Sequence, residues 1–409
     1  MSILFLAHRL PFPPDRGDKI RAHHLLKALA KLAPVHVGCF AESERDLAHL
    51  PELAALAQSH CVPLRKTGNI IPGLRALATG RTVSEAAFDS GDLRRWVERT
   101  VAERGVDTIV VFSGQMGQFV PTDFAGRLVI DLCDVDSAKF EAYAETGSFP
   151  RRWINAREGR LLKRMEEALA VRADNTMLVS EEEAALFRSR LDDTAAANVS
   201  AIRNGIDFEF FDPAMAVAHP DLHQSAGPHF VFTGQMDYRP NITACIRAAK
   251  ELMPAIREAH PTAQFHIVGR APTAEILGLD SHGGTHVWGE VPDIRPFLAG
   301  ADIMLAPLTI ARGVQNKVLE AMAMACPVLL SPEAATGISA RDEEHFAVAA
   351  TNDQIIQKAQ AMLADPASTQ AMCAAARAFV VQHQSWAAMM APLAALVGRP
   401  SFGGQRDAA

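Results

Sequence analysis

Ala311-Arg-Gly-Val-Gln-Asn-Lys-Val-Leu-Glu-Ala-Met-Ala-Met-Ala-Cys-Pro-Val-Leu-Leu-Ser-Pro332 reads as a tight turn, a short helix, a Cys-Pro break and a buried strand. At roughly 100° per residue, Asn316, Lys317, Glu320 and Met324 share one arc of the helix, while Val318, Leu319 and Met322 fall opposite. The helix therefore buries an apolar face and presents an amide, a cation and a carboxylate together. Gly313 lets the backbone turn closely ahead of it, so that the leading N–H groups point outward. Unpaired N–H groups and the positive end of the helix dipole make an anion site. A carboxylate one turn further on suits a diol such as ribose. The pattern fits a nucleotide diphosphate lying across a helix N-terminus.

The rest of the chain supplies the setting. Its 409 residues exceed what one small core needs and suggest two domains. Short aliphatic runs alternate with helical patterns throughout, as in parallel α/β sheets. Strands are expected at Ile3–Ala7, Val35–Phe40, Thr108–Phe112, Leu128–Cys133 and Thr176–Val179, with helices at Asp18–Leu32 and Asp92–Arg104. A second set follows at Phe230–Thr233, Gln264–Val268, His286–Trp288, Asp302–Ala306, Val328–Leu330 and Phe346–Val348. Helices at Asn241–Ala259, Gln315–Met324 and Asp353–Ala364 separate several of these. Between the sets, Ile202-Arg-Asn-Gly-Ile-Asp207 carries an Asn-Gly turn. Ser368–Val380, with Ser368 as N-cap, and Trp386–Val397 read as the last two helices, divided by the polar Gln382–Ser385.

Composition excludes several classes. The first 205 residues hold 27 basic and 27 acidic side chains, and 206–380 hold 11 and 19, so neither half has the basic balance of a nucleic-acid binder. No apolar run reaches membrane-spanning length. The N-terminal MSILFLAHRL lacks a charged n-region and a cleavage site, and reads as a first strand. Six scattered cysteines without a C-x-x-C pair suggest neither a disulfide framework nor a zinc site, and point to a reducing cytoplasm.

Gly313-Val-x-x-Lys317-Val-Leu-Glu320-Ala-Met-Ala, followed by Pro327-Val, resembles the donor-site signature of family 4 glycosyltransferases. These are retaining enzymes of the GT-B fold, with two Rossmann-like domains facing a cleft. The run GVQNKVLEAMAMA is most similar to sugar transferases associated with PEP-CTERM/exosortase exopolysaccharide clusters. The resemblance implies an N-terminal acceptor domain, 1–205, joined by a crossing helix at about 383–398. It also implies a donor domain, 206–382; the last residues, 399–409, with Pro400, Gly403 and Gly404, read as a flexible tail. Glu320 would hold the ribose and Lys317 the leaving diphosphate, with Gly313, Val314, Gln315 and Asn316 around them. Where the family usually has a second glutamate, eight residues before Glu320, this chain has Arg312, which removes a carboxylate from the donor sugar.

Other segments follow the family's order. Phe230-Val-Phe-Thr-Gly234-Gln-Met-Asp-Tyr-Arg239-Pro-Asn241 resembles the opening of the donor domain. There Arg239 either supplies charge to phosphate or stands solvated at a helix start. Phe265–Arg270 ends a strand in Gly269-Arg270, and Val287–Asp293, with Val291, resembles the nucleobase loop. Gly17, followed by Asp18 as N-cap, would put N–H groups beside the donor phosphates. Asp134, after the strand ending at Cys133, either stands beside the reacting carbon or helps cap the next helix.

Phe149–Leu169 holds six basic residues between Arg151 and Arg164 against Glu158 alone. Arg152, Arg157, Arg160, Lys163 and Arg164 share a face with Trp153, opposite Ile154, Leu161, Leu162, Met165 and Leu169. This is either a solvated face, with Gly159 weakening the helix, or a contact for an anionic membrane or a phosphate-bearing acceptor. The implied activity is retaining transfer of a hexose from a nucleotide sugar to a glycan, lipid-linked acceptor included, with no metal or other cofactor. A GT-B nucleotide-sugar 2-epimerase and a catalytically degenerate scaffold are the alternatives left open.

Overall fold

The computed structural model describes residues 1–65, 76, 79–146, 149–193, 197–311 and 314–400. The chain divides into two compact units, Met1–Asn204 with Met389–Ala409, and Gly205–Ala388. The division falls between Asn204 and Gly205, where the backbone runs on without the expected turn.

The first unit is built on a seven-stranded parallel sheet. Its strands are β1 (Ser2–Ala7), β2 (Val35–Gly38), β3 (Ser59–Cys61), β4 (Val106–Phe112), β5 (Arg127–Cys133), β6 (Asn175–Leu178) and β7 (Val199–Ala201), in the order 3-2-1-4-5-6-7. β1 runs between β2 and β4, with Phe5 beside Val37 and Val110. β1 is buried along its whole length, which is why it reads as a continuous apolar run. The edge strands β3 and β7 are three residues each and only partly buried, and no apolar run announces them.

One buried ion pair ties this unit together. Arg21, on the helix Gly17–Leu32 after β1, donates from Nε to Asp131 Oδ2 of β5 at 2.8 Å and from Nη1 to Asn204 Oδ1 at 2.9 Å. The other Asp131 oxygen accepts from the Cys133 N–H at 3.0 Å. Neither side chain of the pair is more than 2 % exposed.

The helices Asp136–Thr146 and Arg151–Arg172 pack on each other as a hairpin. Gly159 sits where they come closest, its missing Cβ only 3.3 Å from the Ser137 carbonyl oxygen and from the Glu141 nitrogen. The expectation that Gly159 merely weakens the helix is therefore corrected: it makes room for the neighbour. The expected faces also need correction. Ile154 is exposed, whereas Arg157 is partly buried and donates to the carbonyls of Ala76 and Arg81.

The second unit holds six parallel strands, β8 (His229–Thr233), β9 (Gln264–Val268), β10 (Thr285–Gly289), β11 (Ile303–Ala306), β12 (Val328–Leu330) and β13 (Ala347–Val348), ordered 10-9-8-11-12-13. This is the doubly wound order, whose direction reverses between the first and fourth strands. The stretch expected as one helix from Asn241 to Ala259 is interrupted. Arg239–Arg247 passes through a π-turn, Ala248–Leu252, into Met253–Ala259. Pro254 cannot donate a helical hydrogen bond, and the widened turn carries the chain past it.

Two further boundaries differ from expectation. The helix Pro366–His383 is capped by Asp365, whose side chain accepts from the Ser368 N–H at 3.1 Å, so Ser368 lies inside the first turn. The single helix expected over Trp386–Val397 is two, Trp386–Met390 and Leu393–Leu396, the second starting after Pro392. Leu393–Leu396 packs on the Gly17–Leu32 helix of the first unit.

Candidate nucleotide site and the end of the first sheet

In the second unit, β8, β9 and β10 each end in glycine or run into it, at Gly234, Gly269 and Gly289, all with positive φ. Gly269 shows why: a Cβ there would lie 1.6 Å from the Gly234 carbonyl oxygen. The close approach of the two turns opens a pocket of about 590 Å³ at the strand ends, beside the reversal point between β8 and β11. That is where open α/β sheets bind ligands.

The helix Asn316–Ala323 forms one wall. Val318, Leu319, Ala321 and Met322 are buried, and Asn316, Lys317 and Glu320 line the pocket. Met324, read on the same arc, is buried in the core instead, as the residue that ends the helix. Among the described residues no side-chain hydrogen bond caps the helix at Gln315, and the leading N–H groups of a helix have no partner within it. Val314 and Gln315 line the pocket as well.

Lys317 Nζ donates to Asn241 Oδ1 and lies 4.3 Å from the centre of the Phe232 ring. Asn241 is fixed in turn by donating from Nδ2 to the Gln235 carbonyl at 2.8 Å. A Cβ on Gly234 would come within 3.2 Å of Lys317 Nζ, so glycine there leaves the ammonium its space. Burial pushes the Lys317 ammonium down to about 8 and the Glu320 carboxyl up to about 7. A site that holds an unneutralised cation and a desolvated carboxylate is prepared for a ligand that supplies charge to one and hydroxyls to the other.

The far wall carries Arg270, whose Nη2 donates to Gln235 Oε1 at 3.0 Å, with Glu290, Val291 and Ile294. Gly234, Arg270, Val291, Val314, Gln315, Asn316, Lys317 and Glu320 are thus brought together. Arg239 is not among them. Its side chain is 71 % exposed and donates to Glu275 Oε2 at 2.8 Å. As the first residue of its helix it points to solvent, and Asn241, two positions on, enters the pocket instead. Sequence reading treated Asn241 only as a helix starter; a Pro-Asn in the first turn after a strand-end glycine was the available signal. Arg312 and Gly313 lie outside the described residues.

Gly17 and Asp134 belong to the first unit. Gly17 is the first residue of its helix and Arg16 occupies the cap position, so Asp18 is not the N-cap. Asp18 accepts from Arg9 Nη1 at 2.5 Å and lies 3.1 Å from His8 Nε2; these partners hold its carboxyl well below the usual range. Asp134 lines a smaller hollow of about 340 Å³ at the ends of β1, β4 and β5, with His8, Arg9, Arg16, Asp18 and Lys139. Lys139 Nζ donates to Asp134 at 2.8 Å and to Asp136 at 3.2 Å. In this hollow Ser113, the residue after β4, and Cys133, the last of β5, both take positive φ (77° and 65°). For side chains other than glycine that is strained backbone, of the kind found at functional sites.

Among the described residues, no group of three or more His, Cys, Asp or Glu side chains is arranged to hold a metal ion. All six cysteines are free, and no described helix is long and apolar enough to cross a membrane.

Comparison with known proteins supports the fold. Residues 227–365 match the family model described as Glycosyl transferases group 1. No curated protein matches the sequence. Among solved structures, Anabaena Alr3699/HepE in complex with UDP is 15 % identical at a TM-score of 0.61, covering 97 % of this chain and 100 % of that one. The sucrose-phosphate synthase of Thermosynechococcus elongatus is 17 % identical at 0.58, covering 97 % and 98 %. WaaG, a glycosyltransferase involved in lipopolysaccharide biosynthesis, is 16 % identical at 0.56, covering 97 % and 100 %. The chain therefore has the two-Rossmann fold of GT-B glycosyltransferases, and its second unit carries a glycosyl transferases group 1 domain.

Proposed function

We propose that the protein is a retaining glycosyltransferase that moves a hexose from a nucleotide diphosphate sugar to a glycan acceptor, lipid-linked, in exopolysaccharide assembly at the cytoplasmic face of the membrane. The observation that carries the reading is the Asn316 helix, which aims its N-terminus, Lys317 and Glu320 into one pocket. Structures of HepE hold UDP and UDP-glucose, which makes UDP-glucose the first donor to test.

In this reading the diphosphate lies at the start of the helix, Glu320 accepts from the ribose hydroxyls, and the base rests against Arg270 and Val291. As the glycosidic bond breaks, negative charge gathers on the departing diphosphate, where Lys317 and the helix N–H groups stabilise it. The acceptor oxygen bonds to the anomeric carbon on the face that the diphosphate leaves, which retains the configuration, and its proton passes to the departing diphosphate. Asp134 is the polar group assigned to the reacting carbon. A thermal-shift screen against nucleotide sugars tests the reading, since a ligand of the folded state raises Tm by mass action. No shift with any nucleotide diphosphate would reject it. Donor binding without transfer to any acceptor would favour the scaffold, and conversion of the donor alone would favour the epimerase.

Glu320→Ala should weaken nucleotide binding by about 1.5–3 kcal/mol, the range for a hydrogen bond to a charged group. Titration calorimetry checks this, and a variant that binds as tightly as wild type would remove Glu320 from the ribose.

Binding should also depend on pH within a narrow window. The ligand needs Glu320 ionised, which happens above about 7 in the free protein, and Lys317 protonated, which holds below about 8. Affinity should rise as pH passes through the first value and fall through the second. A diphosphate beside Lys317 raises its pKa, so binding near the upper value should take up protons. Calorimetry in buffers of different ionisation enthalpy reads that uptake directly.

A further inference from the structure

Four large apolar side chains lie exposed within a dozen residues at one end of the helical hairpin of the first unit: Tyr143, Phe149, Trp153 and Ile154, with exposures of 56 %, 86 %, 54 % and 44 %. Each lies on the turn side of the place where Gly159 meets Ser137 and Glu141. At 1.5 Å per residue, the Arg151–Arg172 helix extends about 12 Å from Gly159 to its first residue. Behind this end the helix is pinned. Arg157 donates to the carbonyls of Ala76 and Arg81, and Glu158 Oε1 accepts from the N–H groups of Val83 and Ser84.

Charge at the end of the hairpin is lopsided. Arg151 and Arg152 are exposed and make no ion pair among the described residues; the exposed carboxylate nearby in the sequence is Glu145. Arg160, the residue after Gly159, is exposed, and among the described residues it bonds only within its own helix, to the Ala156 carbonyl. Lys163 is different, being paired with Asp192 at 3.0 Å. Exposed aromatics beside unneutralised guanidinium groups are costly in water and unnecessary for packing. At a bilayer surface both gain, since Trp, Tyr and Phe settle at the headgroup level and arginines meet lipid phosphates.

We propose that this end of the hairpin docks on an anionic lipid bilayer, with Phe149 and Trp153 entering the interface and Arg151 and Arg152 on the headgroup phosphates. The contact is peripheral and reversible, and belongs to the first unit alone. It therefore stands or falls separately from the nucleotide site.

The test is co-sedimentation of the full chain with phosphatidylglycerol-rich and with pure phosphatidylcholine vesicles, across a salt series. Binding is expected to the anionic vesicles only, with release as salt screens the arginines. Each arginine near such a surface contributes about fivefold to partitioning, so Arg151→Gln with Arg152→Gln should lower it about thirtyfold. Phe149→Ser with Trp153→Ser should abolish it, while melting and UDP binding stay at wild-type values. Emission from Trp153, isolated by comparison with Trp153→Phe, should shift to the blue and be quenched by brominated lipid. Equal binding to neutral vesicles, no binding to either, or indifference to both double variants overturns the proposal. Self-association that Phe149→Ser with Trp153→Ser removes, without vesicle binding, would assign the patch to a second copy of the chain.

Discussion

Lys317→Ala lowers kcat for sugar transfer by about 10²–10³, the loss seen when one preorganised donor is taken from a developing anion, while donor affinity falls less than tenfold. The asymmetry follows from where the charge appears. In the bound donor the diphosphate charge is already shared with helix N–H groups, and the additional charge arises only as the sugar departs. The side chain sits between Asn241 Oδ1 and the Phe232 ring. A planar guanidinium does not fit a space shaped for an ammonium, so Lys317→Arg should rescue little. Steady-state kinetics beside equilibrium donor binding decide the matter. Equal losses in affinity and in kcat/KM would show that the cation holds the ground state and the transition state alike.

Stability gives this prediction a second readout. Burial lowers the Lys317 pKa from its unfolded value to about 8. A lysine whose folded pKa is depressed destabilises the fold at every pH below that value, and the deficit shrinks as pH rises from there toward the unfolded pKa. Removing the group should therefore leave Tm unchanged or higher near neutral pH. A sharp drop in Tm would mean that Lys317 supports the fold, and would recast any kinetic loss as structural.

Asp131→Ala acts in the opposite sense, on the fold and not on the chemistry of the pocket. It leaves Arg21 buried without its counter-ion, and breaking such a pair by removing one partner costs about 3–5 kcal/mol. It also frees the Cys133 N–H that Asp131 accepts from, at a residue already held at positive φ. Urea unfolding of the variant should show the first unit melting early. The paired replacement Arg21→Met with Asp131→Leu should recover much of the loss, because it removes both charges. If the double variant is no better than Asp131→Ala, the pair is not the origin of the effect.

The sheets were legible because their central strands are buried on both faces and must be written as unbroken apolar runs. Ile3–Ala7 and Val328–Leu330 are such cases. β3 and β7 were not, since a short edge strand is specified by its neighbours' hydrogen bonds and by little of its own sequence. The pocket was readable on the Asn316 helix, where period and polarity sort Lys317 and Glu320 from Val318 and Leu319. It was less readable where partners come from distant strands. Nothing local to Arg239 foretold Glu275, and nothing local to Lys317 foretold Asn241 or Phe232. The buried pair of Arg21 and Asp131 was equally hidden, because its members are brought together only by the order in which strands β1, β4 and β5 are laid down.

The first unit is completed by residues that come after the whole of the second. Leu393 is fully buried, the Leu396 carbonyl accepts from Arg127 Nη1 at 3.2 Å, and Arg399 is paired with Asp107. On a ribosome these contacts become possible only once Gly205–Ala388 has been made, roughly 10–40 s later at 5–20 residues per second. In that interval the contiguous second unit can close on itself while the first waits with an open seat over the Gly17–Leu32 helix. Vectorial synthesis thus favours the later-encoded unit, and a chaperone that binds the nascent chain should hold it by the first.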